Sequence, residues 1–310
     1  MNPVAPVILP PYVGSSLRGA FGGALKREAC QCAEMCDMLC EIPRRCPYGS
    51  LFETPIESNM PRRVRASKFA PHPFVISPTA AGGTFLPGDT LEFTLSLFGN
   101  SAIRNALTVF DALDRMAKDG IGKDRRKLAL SRITDVNSEK VLWTGSGVPA
   151  LEDLEPINVS WDEEDNLPAT SGITIRTVTP LQLVRSGNLV TKIDFPELVY
   201  SCADRLELVG ASAACEPLPS ARAWAKKARD SGVTMTALRE IRVAIDRFSR
   251  RQNRKHPLHG VDGQWQLAGK LEPFIPLLRS GSLTHVGKGT SFGLGKFEVV
   301  IAGNDRTTQS

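Results

Sequence analysis

A glycine-rich stretch near the carboxy terminus constrains the fold of this chain most strongly. Its four glycines lie within nine residues: Gly287, Gly289, Gly293 and Gly295. The stretch leads directly into residues 297–301, which have strand character. Because glycine adopts positive φ and lets the backbone approach a ligand closely, the amides of such a loop can converge on an anion, with added charge from Lys288 and Lys296. The alternative is a bent glycine hairpin that only caps the strand.

Charge is unevenly distributed along the chain, although the net charge is only +5 over 310 residues. Residues 152–165 carry acidic side chains without any Lys or Arg, whereas residues 222–255 are rich in Arg and Lys. A local excess of positive charge suits a polyanion, in particular a nucleic acid, and its other interpretation is a solvated surface. No apolar run approaches the ~20 residues of a membrane helix, and residues 1–4 do not begin a signal peptide. We therefore expect a cytoplasmic protein with no membrane partner.

The predicted elements occur in the order βαββαβ, twice. In the first half, strands are predicted at residues 4–10, 74–76, 91–98 and 127–136, and helices at about 17–29 and 103–116. In the second half, the strands are residues 173–178, 241–245, 263–267 and 297–301, and the helices lie near residues 198–209, 221–228 and 274–278, the middle one as an insertion. This order predicts an α+β fold of two tandem ferredoxin-like (RRM-like) domains. The predicted boundaries are 1–145, an acidic linker at 146–170, and 171–310, with a Cys-rich helical insertion at about 30–60.

Three further segments, taken with the glycine-rich stretch, resemble one protein family. They are residues 17–22 (LRGAFG), 46–53 (CPYGSLFE) and 72–75 (HPFV). The set is similar to the RAMP (repeat-associated mysterious protein) superfamily of CRISPR systems, and specifically to its endoribonucleases that process precursor CRISPR RNA. The matching segments span residues 17–297, which is nearly the whole chain.

The resemblance implies a metal-independent cleavage of CRISPR repeat RNA. In that reaction the 2′-OH attacks the adjacent phosphate and leaves a 2′,3′-cyclic phosphate and a 5′-OH end. The protein must orient the phosphodiester, move two protons and stabilise the extra negative charge. Family members commonly place a catalytic histidine in the first domain, whereas this chain has no histidine between residues 1 and 71. That departure also admits an arginine- and lysine-assisted site, or a non-catalytic subunit that binds CRISPR RNA within an effector complex.

The candidate catalytic residues are His285, Arg18 and Lys288. His285 adjoins the glycine-rich stretch, where it could act in acid–base chemistry or RNA positioning, or be hydrogen-bonded beneath the loop. Arg18 could neutralise the scissile phosphate or cap a buried carbonyl. His72, between two prolines at the start of a strand, is interpreted as structural.

The candidate RNA-binding residues form two groups. The first is the glycine-rich stretch, with Gly287, Gly289, Ser291, Phe292, Gly293 and Gly295. The second is a basic segment predicted to end a strand and enter a tight turn, with Arg250, Arg251, Arg254, Lys255, His256 and His259. Because aromatic residues make up only 6% of the chain, we expect recognition through backbone and shape rather than a row of stacked bases.

Five of the seven cysteines cluster directly after the first predicted helix: Cys30, Cys32, Cys36, Cys40 and Cys46. Clustered thiols in a cytoplasmic protein indicate a metal rather than disulfides, and four thiolates suit a structural zinc ion. We therefore predict zinc on four of these five residues, without a catalytic role. An iron–sulfur cluster and a metal-free helical insertion are the alternatives. No cofactor is expected for catalysis.

Overall fold

The computed structural model describes residues 1–30, 46–56, 58, 60, 62–65, 68–157, 172–185, 187–213, 220–249 and 254–301. The chain divides into two compact units. The first unit comprises Met1–Asn158 and Leu208–Cys215, and the second comprises Val159–Glu207 and Glu216–Ser310. No described helix has both the length and the apolar character needed to cross a membrane.

The first unit contains short strands and two longer helices. Its helices are α1 (Gly14–Ala29), α2 (Pro47–Phe52), α3 (Arg62–Arg65), α4 (Gly99–Arg104) and α5 (Ala106–Asp119). Its strands are β1 (Asn2–Pro3), β2 (Val7–Ile8), β3 (Phe74–Pro78), β4 (Thr84–Phe85), β5 (Phe93–Leu97), β6 (Leu128–Ala129), β7 (Ile133–Thr134) and β8 (Val141–Trp143). Apolar residues at helical spacing on α1, including Leu17, Phe21 and Leu25, bury one face of that helix in the core.

The strands of the first unit pair in two-stranded pieces rather than in one sheet. β1 pairs with β6 and β3 pairs with β5, all antiparallel. The amide of Leu91 also donates to the carbonyl of Met1 at 2.8 Å, which brings the start of β1 beside the residues that precede β5. These neighbours agree with a βαββαβ unit, but the predicted strands at 4–10 and 127–136 are broken. Prolines cause the break near the amino terminus, because Pro3, Pro6 and Pro10 lack the N–H that a ladder requires.

The second unit contains a continuous four-stranded sheet. The strands of the sheet are β9 (Ile173–Thr177), β12 (Thr234–Ser249), β13 (Arg254–Ala268) and β14 (Phe297–Ile301), and β10 (Val184–Arg185) pairs separately with β11 (Asn188–Leu189). Its helices are α6 (Phe195–Ala213), α7 (Ala221–Asp230) and α8 (Ile275–Thr284). The sheet order is β12-β13-β9-β14 with every pairing antiparallel, which is the order of a ferredoxin-like βαββαβ unit. The mixed helix and strand prediction is therefore confirmed.

Strands β12 and β13 extend far beyond the sheet. β9 pairs only with Gln264–Leu267 of β13, whereas β12 and β13 pair with each other from Thr234 and Ala268 to Ser249 and Arg254. The two strands therefore continue as a two-stranded ribbon, which we call the arm: residues 240–249 and 254–263. The sequence predicted a tight turn at residues 255–260, and this was wrong, because these residues belong to β13 and pair with β12.

The predicted insertion and linker are mostly outside the described residues. Residues 31–45 of the Cys-rich insertion and residues 158–171 of the acidic linker are not described. The predicted domain boundaries at 145 and 171 stay a prediction.

Candidate functional site

The glycine-rich stretch of the second unit forms a closed loop between α8 and β14. The amide of Val286 donates to the carbonyl of Gly295 at 3.0 Å, which closes its base. Within the loop, the amide of Leu294 donates to the carbonyl of Gly289 at 3.2 Å, and Thr290–Phe292 form a 3₁₀ turn. The loop is therefore a compact, internally bonded structure.

Two of the glycines are required by close backbone contacts. A Cβ atom on Gly295, whose φ is +79°, would lie 1.9 Å from the carbonyl oxygen of Val286. A Cβ atom on Gly287, whose φ is +83°, would lie 2.5 Å from the carbonyl oxygen of Gln182. Both the positive φ and the lack of space exclude other residues without a shift of the backbone.

The loop packs on the segment 179–182, which follows β9. The amide of Lys288 donates to the Gln182 carbonyl at 2.9 Å, and the amide of Gly295 donates to the Pro180 carbonyl at 3.0 Å. The Thr179 hydroxyl donates to the carbonyl of Gly293 at 2.8 Å. These bonds fix the loop against its support at both ends.

The same segment also pairs with the arm. Leu181 and Val261 of β13 exchange two backbone hydrogen bonds of 2.8 and 2.9 Å. Residues 179–182 therefore join the glycine loop to the base of the arm. Sequence reasoning missed this segment, since apart from Pro180 it carries no signal that separates it from an ordinary connection.

Most of the loop amides are engaged within the protein, which limits the anion-binding interpretation. The amides of residues 286, 288 and 292–295 donate to backbone carbonyls, and that of Lys296 donates to the Thr179 hydroxyl. Phe292 is 6% exposed, and its ring lies against Gly289, so it is not placed to stack on a base. Gly287 and Lys288 are exposed, and Ser291 is half-buried. The part of the loop that a ligand can reach is therefore its tip, where Lys288 supplies the charge.

His285 lies beneath the loop rather than on its surface. It is 3% exposed, and its Nδ1 lies 3.1 Å from the carbonyl oxygen of Leu294. Since a carbonyl only accepts, Nδ1 carries the proton and donates it. Burial, with Lys296 and Arg205 nearby, lowers the pKa of His285 to about 3 despite this hydrogen bond. This geometry favours the alternative in which His285 is hydrogen-bonded beneath the loop over the predicted acid–base role.

The burial of His285 predicts a pH-dependent stability. The unfolded imidazole titrates near 6.5 and the folded one near 3, so the unfolded state binds the extra proton between these values. The stabilisation is thus complete above about pH 6.5 and is lost as the pH falls toward 3. Between pH 7 and 5, wild type should lose about 2 kcal/mol more unfolding free energy than His285→Asn, which keeps a donor but does not titrate. Urea unfolding at both pH values tests this, and equal losses would contradict it.

The basic candidates of the second group lie on the arm. Arg254 pairs with Ser249, Lys255 with Phe248 and His256 with Arg247 in the β12–β13 register. His259 is exposed and pairs with Ala244. Arg250 and Arg251 lie outside the described residues. The structure therefore brings Arg254, Lys255, His256 and His259 onto one strand, whose pairing with Leu181 joins it to the support of the glycine loop.

The outer face of the four-stranded sheet carries polar and aliphatic side chains. Arg176 pairs with Glu298 across β9 and β14 at 2.5 Å, and Arg239 pairs with Asp262 across β12 and β13 at 2.9 Å. The described aromatic side chains of the sheet, Trp265 and Phe297, are buried on the opposite face. The described outer face therefore presents no aromatic ring, and recognition through backbone and shape stays a prediction.

Arg18 lies in the first unit, in contact with a histidine. Its Nη2 is 2.8 Å from Nε2 of His72, and its guanidinium carbon is 5.1 Å from the centroid of the Phe52 ring. Tyr48 stacks on the other side of this cluster, with its ring centroid 5.5 Å from that of Phe52. Lys26 lies 5.7 Å from the centroid of the Tyr48 ring. The structure therefore gathers basic and aromatic side chains around Phe52, and it includes His72, which the sequence analysis interpreted as structural.

The described cysteines do not support a zinc site. Cys32, Cys36 and Cys40 lie outside the described residues. The Sγ of Cys46 is 3.8 Å from the carbonyl oxygen of Ala29, so the two ends of the Cys-rich segment come close together. Among the described residues, no group of three or more His, Cys, Asp or Glu side chains could hold a metal ion. The zinc prediction therefore finds no support in the part of the chain that the structure describes.

Comparison with known proteins identifies the second unit. A family model described as CRISPR-associated endoribonuclease Cas6 matches residues 175–297, and a model described as an N-terminal domain matches residues 1–154. No curated protein sequence matches the chain.

Two solved structures are similar to the chain over most of its length. Cas6 (TTHB231) of Thermus thermophilus in a product complex has a TM-score of 0.53 at 15% identity, with coverage of 96% of this chain and 98% of that one. Cas6 (TTHA0078) in a product complex has a TM-score of 0.48 at 16% identity, with coverage of 97% and 100%. The similarity to the first extends over nearly the full length of both chains. The second unit therefore matches the model of the CRISPR-associated endoribonuclease Cas6 family over residues 175–297, and the structure with a TM-score of 0.53 shows that the fold is shared over nearly the whole chain.

Proposed function

We propose that this protein binds CRISPR repeat RNA and cleaves it to mature CRISPR RNA by 2′-OH attack without a metal ion. One observation supports the RNA-binding part of this proposal. Residues 179–182 are hydrogen-bonded both to the glycine loop, which carries the exposed Lys288, and to the base of the basic arm. Lys288 is exposed at the tip of the loop, so a phosphate can reach its ammonium group.

The arm suits the stem of a folded repeat. A two-stranded ribbon can lie along an RNA duplex, whose phosphates and 2′-OH groups are its most accessible features. Basic residues of the arm then contact successive phosphates, while Lys288 at the loop contacts the strand near the base of the arm. Phosphate contacts of this kind position the RNA, and the sequence of the repeat is read by other contacts.

The chemistry follows from what the reaction needs. The attacking 2′-oxygen must lose a proton, the leaving 5′-oxygen must gain one, and the pentacoordinate phosphorus carries additional negative charge. Lysine and arginine side chains stabilise that charge without a metal ion, and Lys288 and Arg18 are the candidates for this role. His285 is unsuited to it, because its imidazole is buried and held by the Leu294 carbonyl.

The test is cleavage of the cognate repeat RNA in excess EDTA, with a parallel series that carries one 2′-deoxy nucleotide at each position. The proposal predicts cleavage that survives EDTA and stops with a single 2′-deoxy substitution. Cleavage that requires a divalent metal, or that tolerates every 2′-deoxy substitution, would overturn the mechanism.

A non-catalytic CRISPR RNA-binding subunit is the second candidate. The burial of His285 favours it, because the histidine nearest to the glycine loop is then a structural residue. Tight binding of the repeat without cleavage, under conditions where the protein is folded, would support this alternative.

A further inference from the structure

A histidine and an arginine of the first unit are in direct contact on its surface. The Arg18 side chain leaves α1, and His72 immediately precedes Pro73 and strand β3, so the two are far apart in sequence. Both side chains are half-buried, and their nitrogen atoms are 2.8 Å apart. Two N–H groups that point at each other repel at this distance. The contact therefore determines whether Nε2 of the imidazole carries a proton.

The contact requires Nε2 of His72 to be an acceptor. The guanidinium group has N–H donors and no acceptor, so a 2.8 Å contact places an Arg18 N–H opposite a lone pair of the imidazole. The imidazole is therefore neutral here, with its proton on Nδ1. A neutral imidazole with Nε2 directed at a guanidinium has the protonation state that a general base needs.

Aromatic packing fixes the orientation of both groups. The His72 ring lies 6.0 Å from the Phe52 ring and 5.7 Å from the Phe74 ring, measured between centroids. The guanidinium of Arg18 lies over Phe52, and Phe52 approaches α1 closely because Gly22 has no side chain. A Cβ atom at Gly22 would lie 2.6 Å from the Phe52 ring. The side chains of Arg18 and His72 therefore pack on aromatic rings, which restricts their rotamers.

We propose that His72 is the general base of the RNA cleavage and that Arg18 holds the reacting phosphate beside it. The inference rests on the proposed function. A phosphodiester offers the Arg18 guanidinium two anionic oxygens in place of a neutral nitrogen, and charge-assisted bonds of this kind are the stronger ones. When Arg18 turns to the phosphate, Nε2 of His72 becomes open next to it.

Nε2 of His72 accepts the proton of the 2′-OH, and the 2′-oxygen forms a bond to phosphorus. The bond from phosphorus to the 5′-oxygen breaks, and its electron pair remains on that oxygen, which takes a proton from water. Arg18 donates hydrogen bonds to the non-bridging oxygens, where the negative charge increases.

Single-turnover cleavage of repeat RNA tests the proposal. His72→Ala is expected to slow cleavage by about 10²- to 10⁴-fold, as for loss of a general base. Added imidazole should restore part of the lost rate in His72→Ala but leave the wild-type rate unchanged. His72→Gln, which keeps a polar side chain of similar reach, is expected to remove the rise of the wild-type rate with pH below neutrality.

Arginine variants give the matched control. Arg18→Ala is expected to lower the cleavage rate, with partial rescue by added guanidinium ion, whereas Arg115→Ala on α5, an arginine already paired with Glu28, should cleave as wild type does. A His72→Ala protein that cleaves at the wild-type rate would overturn the assignment. So would a slow His72→Ala protein that binds a 2′-deoxy repeat normally and gains nothing from imidazole. If the wild type itself does not cleave, the proposed function fails rather than the assignment of His72.

Discussion

Gly295→Ala is expected to destabilise the second unit by about 2 to 5 kcal/mol, since a positive φ costs an alanine about 1–2 kcal/mol and overpacking adds about 1–3. The added Cβ would lie 1.9 Å from the Val286 carbonyl oxygen, next to the hydrogen bond from the Val286 amide to the Gly295 carbonyl that closes the base of the loop. The loop then has to separate from the segment 179–182, and Lys288 loses its fixed position. Denaturant unfolding gives the free energy, and amide hydrogen exchange at Lys288 and Leu294 reports the local opening.

Gly232→Ala is the matched control for this prediction. Gly232 also has a positive φ, of +72°, but a Cβ atom there would meet nothing within 4 Å. Its substitution should therefore cost only the conformational part, about 1–2 kcal/mol, and leave RNA binding unchanged. Equal destabilisation by the two substitutions would contradict the role given to the backbone contact at Gly295.

Neutralising the basic segment 250–255 should weaken binding of repeat RNA by about 100- to 1000-fold at ~0.1 M salt, if each cation contacts one phosphate. The variant replaces four basic residues by alanine: Arg250, Arg251, Arg254 and Lys255. The plot of log K against log salt should become shallower by about 3, because each lost phosphate contact removes about 0.7 to 0.9 from the slope. Binding titrations at several salt concentrations measure both quantities.

A variant that loses four positive charges in the first unit distinguishes the effect of direct phosphate contacts from the effect of net charge. It carries alanine at Lys118, Lys123, Arg126 and Lys127. This protein is expected to keep most of the wild-type affinity and slope. If both variants lose affinity equally, net charge rather than the arm dominates binding, and the proposed path of the RNA is wrong.

The fold of the second unit could be predicted because its signals are local. Strands such as residues 173–177 alternate between buried and exposed side chains, and α6 has the apolar spacing of a helix packed on a sheet. The length of β12 and β13 could not be predicted, since the basic residues 247–255 lack an apolar alternation and resemble a turn. The strand character of residues 247–249 and 254–255 comes from the pairing of β12 with β13, which no local pattern indicates.

The glycine loop shows a different limit of sequence reasoning. Its glycines correctly indicated positive φ at Gly287, Gly289, Gly293 and Gly295. The sequence could not show that the freed amides would be used by the support at Thr179–Gln182, because that partner lies more than 100 residues earlier. The sequence also could not show whether His285 faces a ligand or the core, because its position depends on the packing beneath the loop.

The contact between Arg18 and His72 illustrates the same point for the first unit. Each residue was visible in the sequence, but 53 residues separate them, and a histidine between two prolines is usually structural. Phe21, Phe52 and Phe74 bring them together, since these rings pack on one another with centroids 4.8 to 5.9 Å apart. Long-range aromatic packing of this kind carries no local sequence signal.

The chemical identity of the ends produced from repeat RNA tests the proposed 2′-OH cleavage. The protein is incubated with its cognate repeat RNA in EDTA, and the products are analysed by mass spectrometry. We expect one cut per repeat, with a 2′,3′-cyclic phosphate on the upstream fragment and a 5′-OH on the downstream fragment. A 3′-OH and a 5′-phosphate, or RNA that is bound and remains intact, would contradict it.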